Sequence, residues 1–230
     1  MPHFHIETGE DGSICGILKD GEPNAGGIRL EQVFSVVTTY FVAAARNLEQ
    51  IGRQETATDR RLYGVQSFVM SLSGLEAFAN TYFHLRAIEL QNEAMVTRIK
   101  QTHGSLTRKL EDLLSLAGDG RIVDQDHLVD RIWRLSQLRN DTLHPRWEPS
   151  HLTVGSDLAV NGLVENRQAL FEDGTLCREA MLWCLLVVAR VGQLRGGGDM
   201  GAFLFHWTGN YGLTLPAILE QLALPSDEAA

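Results

Sequence analysis

Residues able to bind a phosphate and to move a proton occur together in the segment Arg139-Asn140-Asp141-Thr142-Leu143-His144-Pro145. A guanidinium is a permanent cation whose forked N–H groups match phosphate oxygens, and an imidazole gains or loses a proton near neutral pH. Both residues lie at the predicted end of an amphipathic helix. Arg139 and His144 are therefore the candidate functional residues of the chain.

The spacing of these two residues has little weight by itself, because the same loose Arg-to-His spacing recurs at Arg98/His103, Arg121/His127 and Arg146/His151. Arg139 differs from the other arginines in its position on a helix. The apolar residues of this helix recur at helical spacing, at Leu128, Ile132, Leu135 and Leu143. At about 100° per residue, Arg139 falls within that apolar stripe, where a cation requires a partner.

Glu76 is the candidate partner of Arg139. It interrupts the apolar face of an earlier predicted helix, formed by Val65, Phe68, Val69, Leu72, Leu75, Ala79 and Phe83. Two opposite charges that each interrupt an apolar face predict a buried ion pair between packed helices. Two alternatives remain open: the pair only fixes the helix register, or either side chain extends to water.

Pro145 affects where the imidazole of His144 lies. On a continuous helix, residues five positions apart point about 140° away from each other. The residue before a proline is pushed out of the helical region, so the helix is expected to end before His144 and to leave its ring beside the last turn. Alternatively, Asn140, Asp141 and His144 only close the helix end.

The hydrophobic pattern along the chain predicts an all-α fold, a bundle of four to five core helices with two small β-hairpins. Helices are expected near 30–51, 57–91, from 92, 106–116, 124–144 and 175–194, with a last helical turn or two within 214–224. One hairpin is expected within residues 3–18 and the other around Asn161-Gly162, and a short strand at Phe203 to Trp207.

We divide the chain into three parts on this pattern. Residues 1–28 form an N-terminal hairpin extension. Residues 29–195 form the helical domain, with an inserted hairpin near 151–170, and residues 196–230 form a C-terminal extension.

The composition limits the classes of function. The net charge of −9 argues against a broad basic surface that grips long nucleic acid, although a local cationic pocket remains possible. Cys15, Cys177 and Cys184 lack metal-ligand spacing, and His3 and His5 lack a third ligand, so neither a metal nor another cofactor is predicted. No membrane association or signal peptide is predicted, and the expected location is the cytoplasm.

The motif residues resemble those of the HEPN superfamily (higher eukaryotes and prokaryotes nucleotide-binding). Its R-N-x-x-x-H pattern at the end of a core helix is met by Arg139 to His144. Its acidic residue on an earlier long helix is met by Glu76, within Ser73-Gly74-Leu75-Glu76-Ala77. The resemblance covers about residues 30–195, and both hairpins and the C-terminal segment lie outside it.

This resemblance implies a helical bundle that dimerises and brings two motifs into a shared cleft. Many members are metal-independent endoribonucleases of toxin–antitoxin, phage-defence and RNA-processing systems. By this resemblance His144 is the general acid/base, Arg139 binds the phosphate, Asn140 is a positioning polar group and Glu76 orients Arg139. The implied partners are RNA or a nucleotide, a second copy of the chain, and an antitoxin or other partner protein.

Three interpretations remain open from the sequence. The first is a HEPN-type ribonuclease, and the second is a HEPN-like dimeric module that binds a nucleotide or protein without catalysis. The third is a structural dimer in which the Glu76–Arg139 pair fixes the register. A solvent-reachable cleft lined by Arg139 and His144 favours the first two, whereas Arg139 enclosed by Glu76 with His144 in bulk water favours the third.

Overall fold

A computed structural model describes residues 4–8, 14–23, 28–89, 91–92, 106–116, 125–144, 152–154, 158–160, 169–194, 200–209 and 213–224. The chain divides into two compact units, Met1–Val36 and Val37–Ala230, which we describe separately. The fold is mostly helical, as the hydrophobic pattern predicts for an all-α protein. No helix within the described ranges combines the length and the apolar character needed to cross a membrane.

The first unit contains a small antiparallel sheet of three strands. They are β1 (Phe4–Thr8), β2 (Ile14–Lys19) and β3 (Glu22–Pro23), in the order β1-β2-β3. Asp20 and Gly21 join β2 to β3 with φ values of 54° and 88°. Two successive residues with positive φ are typical of the tight turns that connect antiparallel strands.

Seven helices are described in the chain. They are α1 (Ile28–Ile51), α2 (Ala57–Glu89), α3 (Leu106–Leu116), α4 (Gln125–Leu143), α5 (Thr175–Leu194), α6 (Met200–Thr208) and α7 (Leu215–Gln221). The boundary between the two units falls within α1. These bounds agree with the helices predicted near 30–51, 57–91, 106–116, 124–144 and 175–194, whereas the helix expected from residue 92 lies outside the described residues beyond Asn92.

Side-chain caps account for two of the helix starts. At α2 the Thr56 hydroxyl oxygen accepts a hydrogen bond from the Asp59 backbone N–H at 3.0 Å and donates to the Asp59 carboxylate at 2.7 Å. At α7 the Thr214 oxygen accepts from the Ala217 N–H at 3.4 Å, and Pro216 lies in the first turn. Both bonds satisfy N–H groups that have no partner within the helix.

Helix α5 is the centre of the second unit and packs against α2, α4, α6 and α7. Its residues are buried on nearly every side from Ala180 to Val191. Cys177 and Cys184 are both fully buried on this helix. Burying a Leu, Val or Phe side chain stabilises the fold by about 1.5–3 kcal/mol, so this helix holds the core together.

Two glycines on α2 allow close approach of neighbouring segments. A Cβ added at Gly64 would lie 2.1 Å from the Phe171 carbonyl oxygen, and one at Gly74 would lie 3.0 Å from the Phe41 ring. Gly74 thus brings α1 against α2 only two positions before Glu76.

The prediction of a strand at Phe203 to Trp207 is wrong, because these residues belong to α6. Their aromatic rings pack on α2: the centroid of the Trp207 ring lies 4.9 Å from that of Phe78, and the Phe203 centroid lies 6.2 Å from that of Tyr82. A helix places both rings on one side, toward the same surface. This tertiary packing overrides the strand propensity of aromatic residues.

A second pair of strands lies in the region of the inserted hairpin. Strand β5 (Leu158–Val160) pairs antiparallel with β4 (Leu152–Val154), which precedes it. The predicted pairing of β5 across Asn161-Gly162 with residues 163–165 lies outside the described residues and stays a prediction.

Candidate functional site

Helices α2, α3 and α4 contact one another, and the candidate site lies where they meet. Glu76 projects from the α2 face that also carries Leu72, Leu75 and Ala79, all fully buried. The Glu76 side chain itself remains 33% exposed, because it lies at the edge of this face. The apolar neighbours thus fix the carboxylate in a partly dehydrated position.

Arg139 on α4 reaches this carboxylate from the facing helix. Its Nη1 atom lies 3.2 Å from Glu76 Oε2, and its side chain is 17% exposed. The ion pair between facing helices, inferred from two charges on apolar faces, is therefore present. Arg139 Nε is shielded from solvent and has no hydrogen-bond acceptor in the part of the chain that the structure describes.

Lys109 on α3 is a third member that the sequence did not indicate. Its Nζ atom lies 3.2 Å from Glu76 Oε1, so the two carboxylate oxygens bind different cations. The Lys109 side chain is only 13% exposed. Its position beside the buried residues Leu106 and Leu110 is the one available signal, since a lysine at the edge of an apolar stripe packs its stem inward. We call Glu76, Lys109 and Arg139 the charge cluster.

The two cations determine the ionisation of Glu76. Burial raises the pKa of its carboxyl, but Lys109 and Arg139 outweigh burial and hold the pKa below its ordinary value. Glu76 is therefore ionised at neutral pH. Its one negative charge faces two positive charges, which leaves a net charge of about +1 on the cluster.

His144 and Asn140 make no side-chain bond to the cluster within the described residues. Helix α4 ends at Leu143, as the proline predicts, and the His144 backbone N–H donates to the Asn140 carbonyl at 2.8 Å. Both side chains are exposed. Within the described residues, no hydrogen bond joins either side chain to Glu76, Arg139 or Lys109. The contact that the structure shows among the motif residues thus joins Glu76 and Arg139.

The exposed face of α4 carries an aromatic residue, Trp133, on the same side as Asn140 of the motif. Trp133 is 48% exposed, and Asn140 and His144 follow it at intervals of seven and four residues. Trp133 and Asn140 therefore lie on one side of α4, and His144 is exposed directly after the last residue of the helix. We call Trp133, Asn140 and His144 the exposed stripe.

Helix α4 also contacts the core helix α5. Burial raises the pKa of the Cys184 thiol, and the positive charge of Arg139 opposes that rise. Arg139 therefore lies within electrostatic range of a buried thiol as well as of Glu76. Within the described ranges, no group of three or more His, Cys, Asp or Glu side chains is placed to hold a metal ion.

Comparisons with family models, curated proteins and solved structures found no match to this chain. The HEPN resemblance thus rests on the motif residues, and the catalytic roles of Arg139, His144, Asn140 and Glu76 stay predictions.

Proposed function

We propose that this protein is a metal-independent endoribonuclease of the HEPN type that acts as a homodimer. The observation that supports the proposal most is the ion pair between Glu76 and Arg139. These residues come from the two motifs on which the resemblance rests, 63 positions apart. Contact between them is what a carboxylate that orients the phosphate-binding arginine requires.

The proposed reaction is cleavage of an RNA phosphodiester by its own 2′-hydroxyl. His144 as a neutral base takes the 2′-hydroxyl proton, and the 2′-oxygen forms a new bond to phosphorus. The bond from phosphorus to the 5′-oxygen breaks, and an imidazolium at His144 donates a proton to that oxygen. Arg139 stabilises the charge that grows on the phosphoryl oxygens. The products are a 2′,3′-cyclic phosphate and a 5′-hydroxyl.

The dimer in this proposal is supported by the exposed stripe. Trp133, Asn140 and His144 face solvent in the single chain, and an exposed tryptophan is typical of contact surfaces. A second copy of α4 against this stripe would place two histidines in one cleft. In the proposal, the active site is completed between two chains.

A second candidate function is a HEPN-like module that binds a nucleotide or a protein without catalysis. It is favoured by the exposure of His144 and by the absence, within the described residues, of a bond from its side chain to the Glu76–Arg139 pair. In either case the proposed setting is a cytoplasmic toxin–antitoxin or phage-defence system, in which a partner protein contributes positive charge to the acidic chain.

The test is RNA cleavage by the purified protein in the presence of EDTA, on structured and unstructured RNA. His144→Ala and Arg139→Ala are compared with two matched controls, His84→Ala on α2 and Arg134→Ala on α4, which remove an exposed side chain of the same type. We expect cyclic-phosphate ends that disappear in the first two variants and persist in the controls. Cleavage that survives His144→Ala in a folded protein would refute the mechanism, and binding of RNA without cleavage would favour the second candidate.

A further inference from the structure

The charge cluster holds more positive charge than its carboxylate can balance. The neighbouring pairs Arg131–Glu179 and Arg134–Asp130 each join one cation to one carboxylate. Glu76, by contrast, is shared between Lys109 and Arg139, which are 13% and 17% exposed. An unbalanced charge in a partly dehydrated position is costly, and a bound anion removes that cost.

The hydrogen-bond donors of the cluster are also in excess. An ammonium offers three donors and a guanidinium five, whereas the recorded side-chain bonds of Lys109 and Arg139 in the described residues are one each, to Glu76. A phosphate group presents several acceptor oxygens on one centre, and arginine and lysine are the side chains that bind it. Donor number and charge therefore both match a phosphate.

We infer that Lys109 and Arg139 together form a phosphate-binding site, with Glu76 as the counter-ion that holds the two cations in place. The ligand is a phosphate oxyanion, either as a free ion or within an RNA backbone. Lys109 is thereby a second substrate-binding cation, contributed by a helix that carries no motif residue. This inference deepens the proposed function, and RNA as its ligand rests on that proposal.

Glu76 has a defined role in this site. Because it bonds one cation through each oxygen, it draws Lys109 and Arg139 toward the same point. Without it, two like charges on separate helices would repel each other. The carboxylate thus sets the separation of the two cations.

Binding is measured apart from cleavage, with two probes that separate the sources of phosphate. The first probe is inorganic phosphate, and the second is a short 2′-O-methyl RNA, which lacks the attacking hydroxyl and is not cleaved. Lys109→Gln is compared with Arg108→Gln, which removes one positive charge from the adjacent exposed position of the same helix. Lys109→Arg serves as the conservative variant, and circular dichroism verifies the folding of each.

We expect Lys109→Gln to weaken binding of the RNA probe about tenfold, because one charge-assisted hydrogen bond to the probe is lost. Arg108→Gln should change it by roughly twofold at most, since an exposed charge is screened. Lys109→Arg should restore most of the affinity. The slope of log affinity against log salt should fall by about 0.7 in Lys109→Gln, as for one lost contact to a single-stranded backbone. A lysine with only a structural role would leave that slope unchanged.

The outcomes separate this inference from the proposed ribonuclease. Loss of probe binding in Lys109→Gln, with no RNA cleavage by the unmutated protein, supports the phosphate site and refutes the ribonuclease. Cleavage by the unmutated protein with equal affinity and salt slope in Lys109→Gln and Arg108→Gln overturns the inference and leaves the ribonuclease. Failure of the unmutated protein to bind either probe also overturns the inference. Binding of inorganic phosphate but not RNA supports a free phosphate ligand.

Discussion

Replacing the shared carboxylate, Glu76→Gln, is the most informative perturbation of this fold. The substitution keeps the shape of the side chain but leaves Lys109 and Arg139 facing each other without a counter-ion. Breaking a buried ion pair costs about 3–5 kcal/mol, whereas an exposed pair contributes about 0–1 kcal/mol. With its members 33%, 13% and 17% exposed, the cluster lies between these limits. We expect the free energy of unfolding to fall by about 2 kcal/mol.

Two matched variants should lose less unfolding free energy than Glu76→Gln. Lys109→Gln leaves Glu76 paired with Arg139, so its cost should be about 1 kcal/mol or less. Asp130→Asn breaks the exposed pair with Arg134 and should cost about 0.5 kcal/mol or less. Urea denaturation followed by circular dichroism measures all three differences. Thermal denaturation should show a decrease in Tm of about 4–8 °C for Glu76→Gln.

The effect of Glu76 on stability should depend on pH. The pKa of its carboxyl is lowered in the folded state from an ordinary value of 4.5, because Lys109 and Arg139 outweigh the effect of burial. A lowered folded-state pKa gives stability that is present above the unfolded pKa and is lost as pH falls through the folded value. The difference between the unmutated protein and Glu76→Gln should therefore be full at pH 7 and shrink below about pH 4.5.

Three results would refute this reasoning. A loss of less than about 0.5 kcal/mol at pH 7 would show that water replaces the carboxylate at no cost. A difference that stays constant from pH 7 to pH 3 would show that the ionised form of Glu76 contributes nothing. An equal loss in Glu76→Gln and Lys109→Gln would show that the cations do not share the carboxylate.

Two further predictions concern the core. Gly64→Ala should destabilise the fold by about 1–3 kcal/mol, since the added methyl would lie 2.1 Å from the Phe171 oxygen. Gly52→Ala is the control: nothing lies within 4 Å of its Cβ position, so it should change the free energy of unfolding little, and urea denaturation compares the two variants. Burial raises the pKa of the Cys177 thiol to about 12 and also raises that of Cys184, so neither thiol should react with a thiol reagent at pH 8 until the protein unfolds. Rapid labelling of a folded variant that lacks Cys15 would contradict this prediction.

Much of the helical framework could be read from local sequence. Apolar residues at helical spacing predicted α1, α2, α4 and α5, and Thr214 marked the start of α7 through a bond within its own turn. The end of α4 before His144 followed from Pro145, which restricts its neighbour. These features depend on residues a few positions apart, so no knowledge of the fold was needed.

The strand predicted at Phe203 to Trp207 was wrong because distant segments decide the structure there. Residues Phe203 to Trp207 have the composition of a strand, and their helix is fixed by rings on α2 that lie more than a hundred positions away. The pairing of Leu158–Val160 with Leu152–Val154 was not predicted either, because composition does not indicate which segments pair.

The sequence by itself predicted Glu76 and Arg139 as partners, because an isolated charge on an apolar helical face needs a neutralising group or access to water. Only the tertiary structure decided that Lys109 shares the same carboxylate and that His144 remains exposed. A lysine at the edge of an apolar stripe is equally compatible with its own helix whether its ammonium group lies in water or in a charge cluster. Which of these it adopts depends on how α2, α3 and α4 pack, and that packing is a property of the whole core.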